Sequence, residues 1–175
     1  MGWKVRVEGS DLRFSAAHFT TFEGQCEPLH GHNYAVTVEV EGELTEDSWV
    51  VDFVKLRKMA RRVCDELDHR FLLQRESRVL EINEGMSNWK VRFRPGGRPS
   101  DQERGWALPK DEVVALPIDN STAERLAEWF AGRLGEELRA SLSGRQAAGA
   151  TNVTAITVGI EEAPGQAAWY RQQAG

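Results

Sequence analysis

The chain is short of everything that would staple it covalently or hold it in a membrane. Its 175 residues include only two cysteines, Cys26 and Cys64, too few for a disulfide framework, and free thiols are expected. No apolar run approaches the roughly 18 residues that a spanning helix needs, and no charged-then-apolar leader opens the chain. The expected location is the cytoplasm. The glycosylation-type tripeptides at Asn120 and Asn152 carry no meaning without secretion. An excess of positive charge is also lacking: 22 Lys and Arg face 27 Asp and Glu, a formal net charge of -5, which argues against a broad nucleic-acid footprint. Small molecules or further copies of the same chain are the expected partners. There is no internal repeat, low-complexity tract or linker, so residues 1–175 are expected to form a single domain, and 41% hydrophobic content is enough for a core.

Histidine is scarce, with four in all, yet three of the four fall in two clusters together with Cys26. One is Phe14-Ser15-Ala16-Ala17-His18; the other runs from Cys26 through Glu27-Pro28-Leu29 to His30-Gly31-His32-Asn33-Tyr34. On a strand, alternate residues share a face about 7 Å apart, so His30 and His32 can share one ion. Tyr34, Val36, Val38 and Val40 continue their parity, while Asn33, Thr37, Glu39 and Glu41 take the other. Leu12, Phe14, Ala16 and His18 also share a parity, so a third imidazole can arrive from a neighbouring strand. Three neutral nitrogens with an open fourth position make a catalytic zinc site, whereas four ligands close a structural one. Cys26 is either that fourth ligand or a thiol held near the metal without bonding it.

The rest of the pattern is α+β. Trp3 to Glu8 and Leu12 to His18 read as strands joined by a turn at Gly9-Ser10, and Asn33 to Glu43 reads as a third. Asp52 is a plausible N-cap for a helix whose buried stripe is Phe53, Leu56, Met59, Ala60, Val63, Cys64 and Leu67, which makes Cys64 a core residue. A second helix is expected from Ser121 to about Leu142, with Leu126, Ala127, Phe130, Leu134 and Leu138 buried and a capping box formed by Ser121 and Glu124. Between the helices, 77–117 contains an alternating stretch in which Trp89, Val91 and Phe93 oppose Lys90, Arg92 and Arg94, followed by a Pro95-Gly96-Gly97 turn. A hairpin is expected there. Its basic stripe, extended only by Arg98, reads as a solvated face in preference to a phosphate site. A last strand, Val153 to Glu162, and a short Ala167 to Arg171 segment end the chain. Strands and helices without regular alternation point to an antiparallel sheet.

Two further groups carry chemistry. Asp68-His69 follows the first helix and is either a carboxylate–imidazole proton relay or a helix C-terminal feature. Glu162 shares parity with Val158 and Ile160, so a carboxylate points toward an apolar face and needs a partner, such as a ligand with two parallel N–H donors.

In this order, these residues resemble the 6-pyruvoyl-tetrahydropterin synthase and 6-carboxytetrahydropterin synthase family. The likeness rests on Phe14 to His18, Cys26 to Asn33, Val51-Asp52-Phe53, Leu67-Asp68-His69, Ser121-Thr122-Ala123-Glu124 and the Val158 to Pro164 strand. It implies the tunnelling fold, an antiparallel sheet with two helices on one face and here an inserted hairpin within about 77–117. Small sheets from several subunits join into a barrel, with active sites at subunit interfaces and a homohexamer built as a dimer of trimers. It implies zinc held by His18, His30 and His32, Cys26 as catalytic thiol, Asp68 and His69 as its proton-transfer partners, and Thr122 with Glu162, selected over Glu161 by the spacing to Pro164, as the groups that hold the pterin. The three residues between Cys26 and His30 are similar to the 6-carboxytetrahydropterin synthases of queuosine biosynthesis. The activity so implied is that of a lyase converting 7,8-dihydroneopterin triphosphate to 6-carboxytetrahydropterin. The alternatives are triphosphate elimination of the pyruvoyl-forming kind and a non-catalytic pterin-binding homologue.

Overall fold

The computed structural model of the protein describes residues 2–97, 102–142 and 152–174. In chain order, β1 (Trp3–Val7) and β2 (Arg13–His18) are followed by a small hairpin, β3 (Thr21–Phe22) and β4 (Gln25–Cys26), and by the 13-residue β5 (His30–Gly42). Helix α1 (Phe53–Leu67) leads into β6 (Arg70–Gln74), then β7 (Leu80–Glu84), β8 (Asn88–Phe93), β9 (Arg104–Pro109) and β10 (Val113–Leu116). Helix α2 (Ala123–Leu142), β11 (Val153–Ala163) and β12 (Gln166–Gln173) complete the order.

Strand β5 is long enough to organise the main sheet. Its Ala35–Gly42 portion pairs with β11, while on the opposite edge β2 takes its first half and β1 its second. The Gly9-Ser10 turn therefore links two strands that lie end to end along β5, rather than a hairpin. The sheet runs β10-β6-β2-β5-β11-β12, with β1 beside β5. It is antiparallel apart from the β2–β6 and β6–β10 pairs, which are parallel.

Alternation along β5 and β11 puts Tyr34, Val36, Val38, Val40, Val158 and Ile160 on one face, where α1 and α2 cover them. From α1 come Leu56, Met59, Ala60, Val63, Cys64 and Leu67, all buried. Each fully buried aliphatic side chain of this kind contributes about 1.5–3 kcal/mol. Asp52 caps the helix as expected, its carboxylate accepting from the amides of Val54 and Lys55 at 2.8 and 3.2 Å. Phe53, expected on the stripe, is instead 54% exposed: at the first helical position it lies before the turn that meets the sheet. The expected capping box of α2 does not form. Ser121 is buried and spends its hydroxyl on the Phe19 carbonyl and Gln74, so Thr122 takes the cap, its oxygen accepting from Arg125 N–H at 3.4 Å.

On the opposite face, the inserted segment is larger than a hairpin. Strands β7, β8 and β9 form a three-stranded antiparallel meander, while β10 joins the main sheet. Its apolar side, Trp89, Val91 and Phe93 with Trp106 and Leu108, closes over Phe71, Leu73, Phe19 and Cys26. Trp106 stacks on Phe19 with ring centroids 4.4 Å apart. The basic stripe is balanced by acids: Arg92 pairs with Glu103, and Arg94 with Glu81 and Glu103. Arg98 lies outside the described residues. The same face of β1, β5, β11 and β12 is left uncovered by the meander and is polar, with buried Glu39 held by Lys4 and Arg6, and Glu41 paired with Arg171. Among the described residues no helix is long and apolar enough to cross a membrane.

Two substitutions separate these contributions. Asp52→Ala is expected to lower the unfolding free energy by about 1 kcal/mol, and Leu67→Ala by about 2–5 kcal/mol. Equilibrium denaturation of both variants measures the difference, and a larger loss for Asp52→Ala would contradict the packing described.

Candidate active site

Cross-strand pairing assembles the histidines. In the β2–β5 register His18 lies directly opposite His30, and Ala16 opposite His32. Between the two β5 histidines, Gly31 lets the strands approach closely, since a Cβ there would come 3.0 Å from the Ala16 carbonyl. The three rings sit with centroids 4.7 to 5.2 Å apart, and one ligand nitrogen from each lies within 4.8 Å of the others.

Hydrogen bonds orient two of the rings. His18, fully buried, donates its Nδ1–H to the Ser121 carbonyl at 2.9 Å, and His30 donates its Nδ1–H to the Pro28 carbonyl at 2.8 Å. Each bond favours the tautomer that leaves Nε2 for a metal, the arrangement metal-ligating histidines have, and at His18 that nitrogen faces the Tyr34 hydroxyl at 3.2 Å. Glu162 Oε1 lies 3.1 Å from His18 Nε2 and 3.3 Å from His32 Nε2, and Tyr34 donates to the same oxygen at 3.4 Å. Burial holds the His18 pKa below the ordinary histidine value, and burial beside Glu162 pushes that of Tyr34 up. Neutral imidazoles around a carboxylate form a donor set that suits a divalent cation such as zinc.

The site opens into a cavity of about 520 Å³ lined by His30, His32, Glu162, Thr122, Thr20 and Glu27. Thr122 stands at the positive end of α2. Glu162 and its neighbour have separate roles: Glu161 accepts the Gly165 amide at 2.8 Å in the β11–β12 turn, and Glu162 faces the histidines.

The remaining sequence-derived residues lie elsewhere. Cys26 is absent from the cavity lining; it is 7% exposed within the apolar cluster under the meander, its thiol directed at the Glu27 carbonyl at 3.5 Å. Burial pushes its pKa up to about 11, the reverse of the activated thiol expected from the sequence. Cys64 is fully buried, with its pKa pushed up to about 12. Asp68 and His69 do meet, at 3.1 Å. Asp68 is also the C-cap of α1 and accepts the Ser15 amide at 2.8 Å, which, with His69 and Arg61, holds its carboxyl below the usual range. His69 has a left-handed backbone, φ 56°, unusual for a residue other than glycine, and an exposed ring. It lines a second cavity of about 550 Å³ with Ser15, Asn33, Arg70, Leu108 and Glu112, and among the described residues only His32 borders both cavities.

Glu27, Thr20, Tyr34 and Ser121 were not singled out from the sequence as site residues. Glu27 accepts from the Thr20 hydroxyl at 2.6 Å, and that bond holds its carboxyl below the usual range. It immediately follows Cys26, and that adjacency is the one signal the sequence offers for it.

The family profile described as 6-pyruvoyl tetrahydropterin synthase matches residues 9–173, and the chain belongs to that family. It is 33% identical over 164 residues to a Methanocaldococcus jannaschii protein provisionally named 6-carboxy-5,6,7,8-tetrahydropterin synthase, covering 92% of this chain and 90% of that one. Its fold matches 6-pyruvoyl tetrahydropterin synthase of Plasmodium vivax with a TM-score of 0.85, 31% identity and 99% of both chains covered. That enzyme has also been solved with a catalytic glutamate replaced by alanine. A shorter match, 48% identical over 59 residues, covers 34% of this chain and 50% of a Pyrococcus furiosus dihydroneopterin monophosphate aldolase.

Two outcomes are expected. His30→Ala and His32→Ala should each lose zinc by metal analysis while staying folded, and full zinc content in both would remove the site. In the metal-free protein, alkylation of Cys26 should be slow at neutral pH and rise about tenfold per pH unit toward pH 11, because the thiolate fraction follows the raised pKa. A rate at pH 7 matching that of a small free thiol would contradict the burial of Cys26.

Proposed function

We propose that this chain is a zinc-dependent 6-carboxytetrahydropterin synthase that converts 7,8-dihydroneopterin triphosphate and one water to 6-carboxytetrahydropterin with loss of triphosphate and acetaldehyde. The observation that carries the reading is the convergence of His18, His30 and His32 beside a cavity that His30, His32, Thr122 and Glu162 line, with His18 buried behind it. His18, His30 and His32 would hold zinc, which when bound would supply Lewis-acid polarisation of the substrate's side-chain hydroxyls. Glu162 takes two hydrogen bonds from the pterin ring N–H and exocyclic amine, a charge-assisted contact, and Thr122 binds beside it. The resemblance gives Cys26 the removal of a carbon-bound proton, which requires its thiol, buried under the meander with its pKa pushed up to about 11, to be uncovered toward the cavity when substrate binds; Asp68 with His69 moves protons on the other side.

The separation of the two cavities fits a site completed between subunits. In the homohexamer implied by the resemblance, His69 from one copy reaches the histidine cavity of another.

A second reading is favoured by one observation: Glu27, not Cys26, lines the cavity. A carboxylate there can take a side-chain hydroxyl proton and let the adjacent carbon–carbon bond break, its electrons passing into the pterin ring and an aldehyde leaving. The likeness to the Pyrococcus furiosus aldolase and to an enzyme with a catalytic glutamate supports keeping this reading beside the first.

Incubation of the zinc-loaded protein with 7,8-dihydroneopterin triphosphate, followed by mass identification of products, tests both. The first reading expects 6-carboxytetrahydropterin and its loss in Cys26→Ala. A shortened hydroxymethyl pterin, lost in Glu27→Gln and retained in Cys26→Ala, would favour the second. No turnover of this or the monophosphate substrate would sink both.

A further inference from the structure

A buried chain of hydrogen bonds ends on His18 and involves two side chains outside the cavity. Gln74, the last residue of β6, is 1% exposed, and Ser121 is fully buried. The Gln74 Oε1 accepts the Ser121 amide at 2.9 Å, and the Ser121 hydroxyl lies 2.9 Å from both that oxygen and the Phe19 carbonyl. The Gln74 amide nitrogen donates to the Thr21 hydroxyl at 3.4 Å. The Asn120 side chain closes the arrangement, donating to the Thr21 carbonyl at 2.8 Å and accepting the Thr21 and Ser121 amides at 3.1 Å. The carbonyl of Ser121 is the acceptor for His18 Nδ1–H.

A buried amide is costly unless its polar atoms are used. Those of Gln74 go to Ser121 and Thr21, on the two segments that bracket His18. We propose that Gln74 is a positioning residue for the metal site: by clamping Ser121 it fixes the carbonyl that holds His18 in the Nδ1–H tautomer, with Nε2 bare and aimed at His30 and His32. With the clamp removed, the carbonyl shifts, the ring samples the Nε2–H tautomer, and that nitrogen no longer serves as a ligand. The proposal rests on the reading of the three histidines as a metal site; in the metal-free protein the Ser121 carbonyl and Glu162, 3.1 Å from Nε2, compete for the ring proton, and the tautomer reports how firmly the clamp holds its side of that balance.

The experiment compares the unmodified protein with Gln74→Leu and Gln74→Glu. Leucine removes both amide functions at similar bulk, whereas glutamate keeps the acceptor oxygen facing Ser121. Zinc affinity is measured by competition with a chromophoric chelator, thermal unfolding reports folding, and nitrogen-15 NMR of the metal-free protein at about pH 8, where imidazole is neutral, reads the His18 tautomer. Gln74→Leu should bind zinc about 10- to 100-fold more weakly, with a mixed His18 tautomer, and Gln74→Glu should stay close to the unmodified protein in both. Unchanged affinity and tautomer in Gln74→Leu, or equal losses in both variants, would overturn the proposal. If the unmodified protein binds no zinc, the metal reading fails alone, and the tautomer comparison still decides the role of Gln74. If Gln74→Leu does not fold, Ser121→Pro serves as the second variant: it removes the amide that Gln74 holds and keeps the carbonyl, and an unchanged His18 tautomer there would overturn the clamp.

Discussion

The pairing register between β2 and β5 is the constraint on which the candidate site depends. Because side chains alternate, a slip of one residue would turn His30 and His32 to the opposite face and bring Val36 and Val38 out of the core with them. The valines hold the histidines in place: burial of Tyr34, Val36, Val38 and Val40 against two helices selects one register, and that register sets His18 opposite His30. The polar site thus takes its geometry from an apolar surface. Pairing with β1, β2 and β11 along nearly its whole length leaves β5 little freedom to shift.

Much of this was legible because strand and helix periods are strong signals where one face is wet. Along Tyr34 to Val40 and along α1 from Leu56 to Leu67, apolar spacing gave the buried residues correctly. The signal failed where tertiary contacts override local chemistry. Strand β6 is covered by helices on one face and by the meander on the other, so Phe71 to Gln74 are all buried and show no alternation. Ser121 has the local pattern of a cap, yet distant groups, Phe19 and Gln74, claim its hydroxyl. No local rule could foresee that competition.

The site was readable to a similar limit. Proximity of the histidines follows from parity, and the convergence of Glu162 with them follows from the alternation of β11. Cys26 and Glu27 were harder to place, because 27–29 lie outside regular structure and the parity of β5 does not extend through them. A tight turn with left-handed Glu23 and Gly24 joins β3 to β4 and delivers the pair with one side chain under the meander and the other at the cavity. Asp68 and His69 are fixed to Ser15 of β2, three residues before His18, so they share a scaffold with the metal-type cluster while opening onto other space.

The meander also divides the outer side of the sheet into two parts. It occupies the sheet face opposite the helices over β6 and β10, where Phe71 and Leu73 point, and its own outer surface is a lattice of paired charges. The rest of that face, over β1, β5, β11 and β12, stays open, and there Lys4 and Arg6 share Glu39 while Lys4 and Arg171 flank Glu41. The inserted strands thereby give one side of a single sheet two outer surfaces of different build, an added layer over an apolar seam and bare strands that carry paired charges.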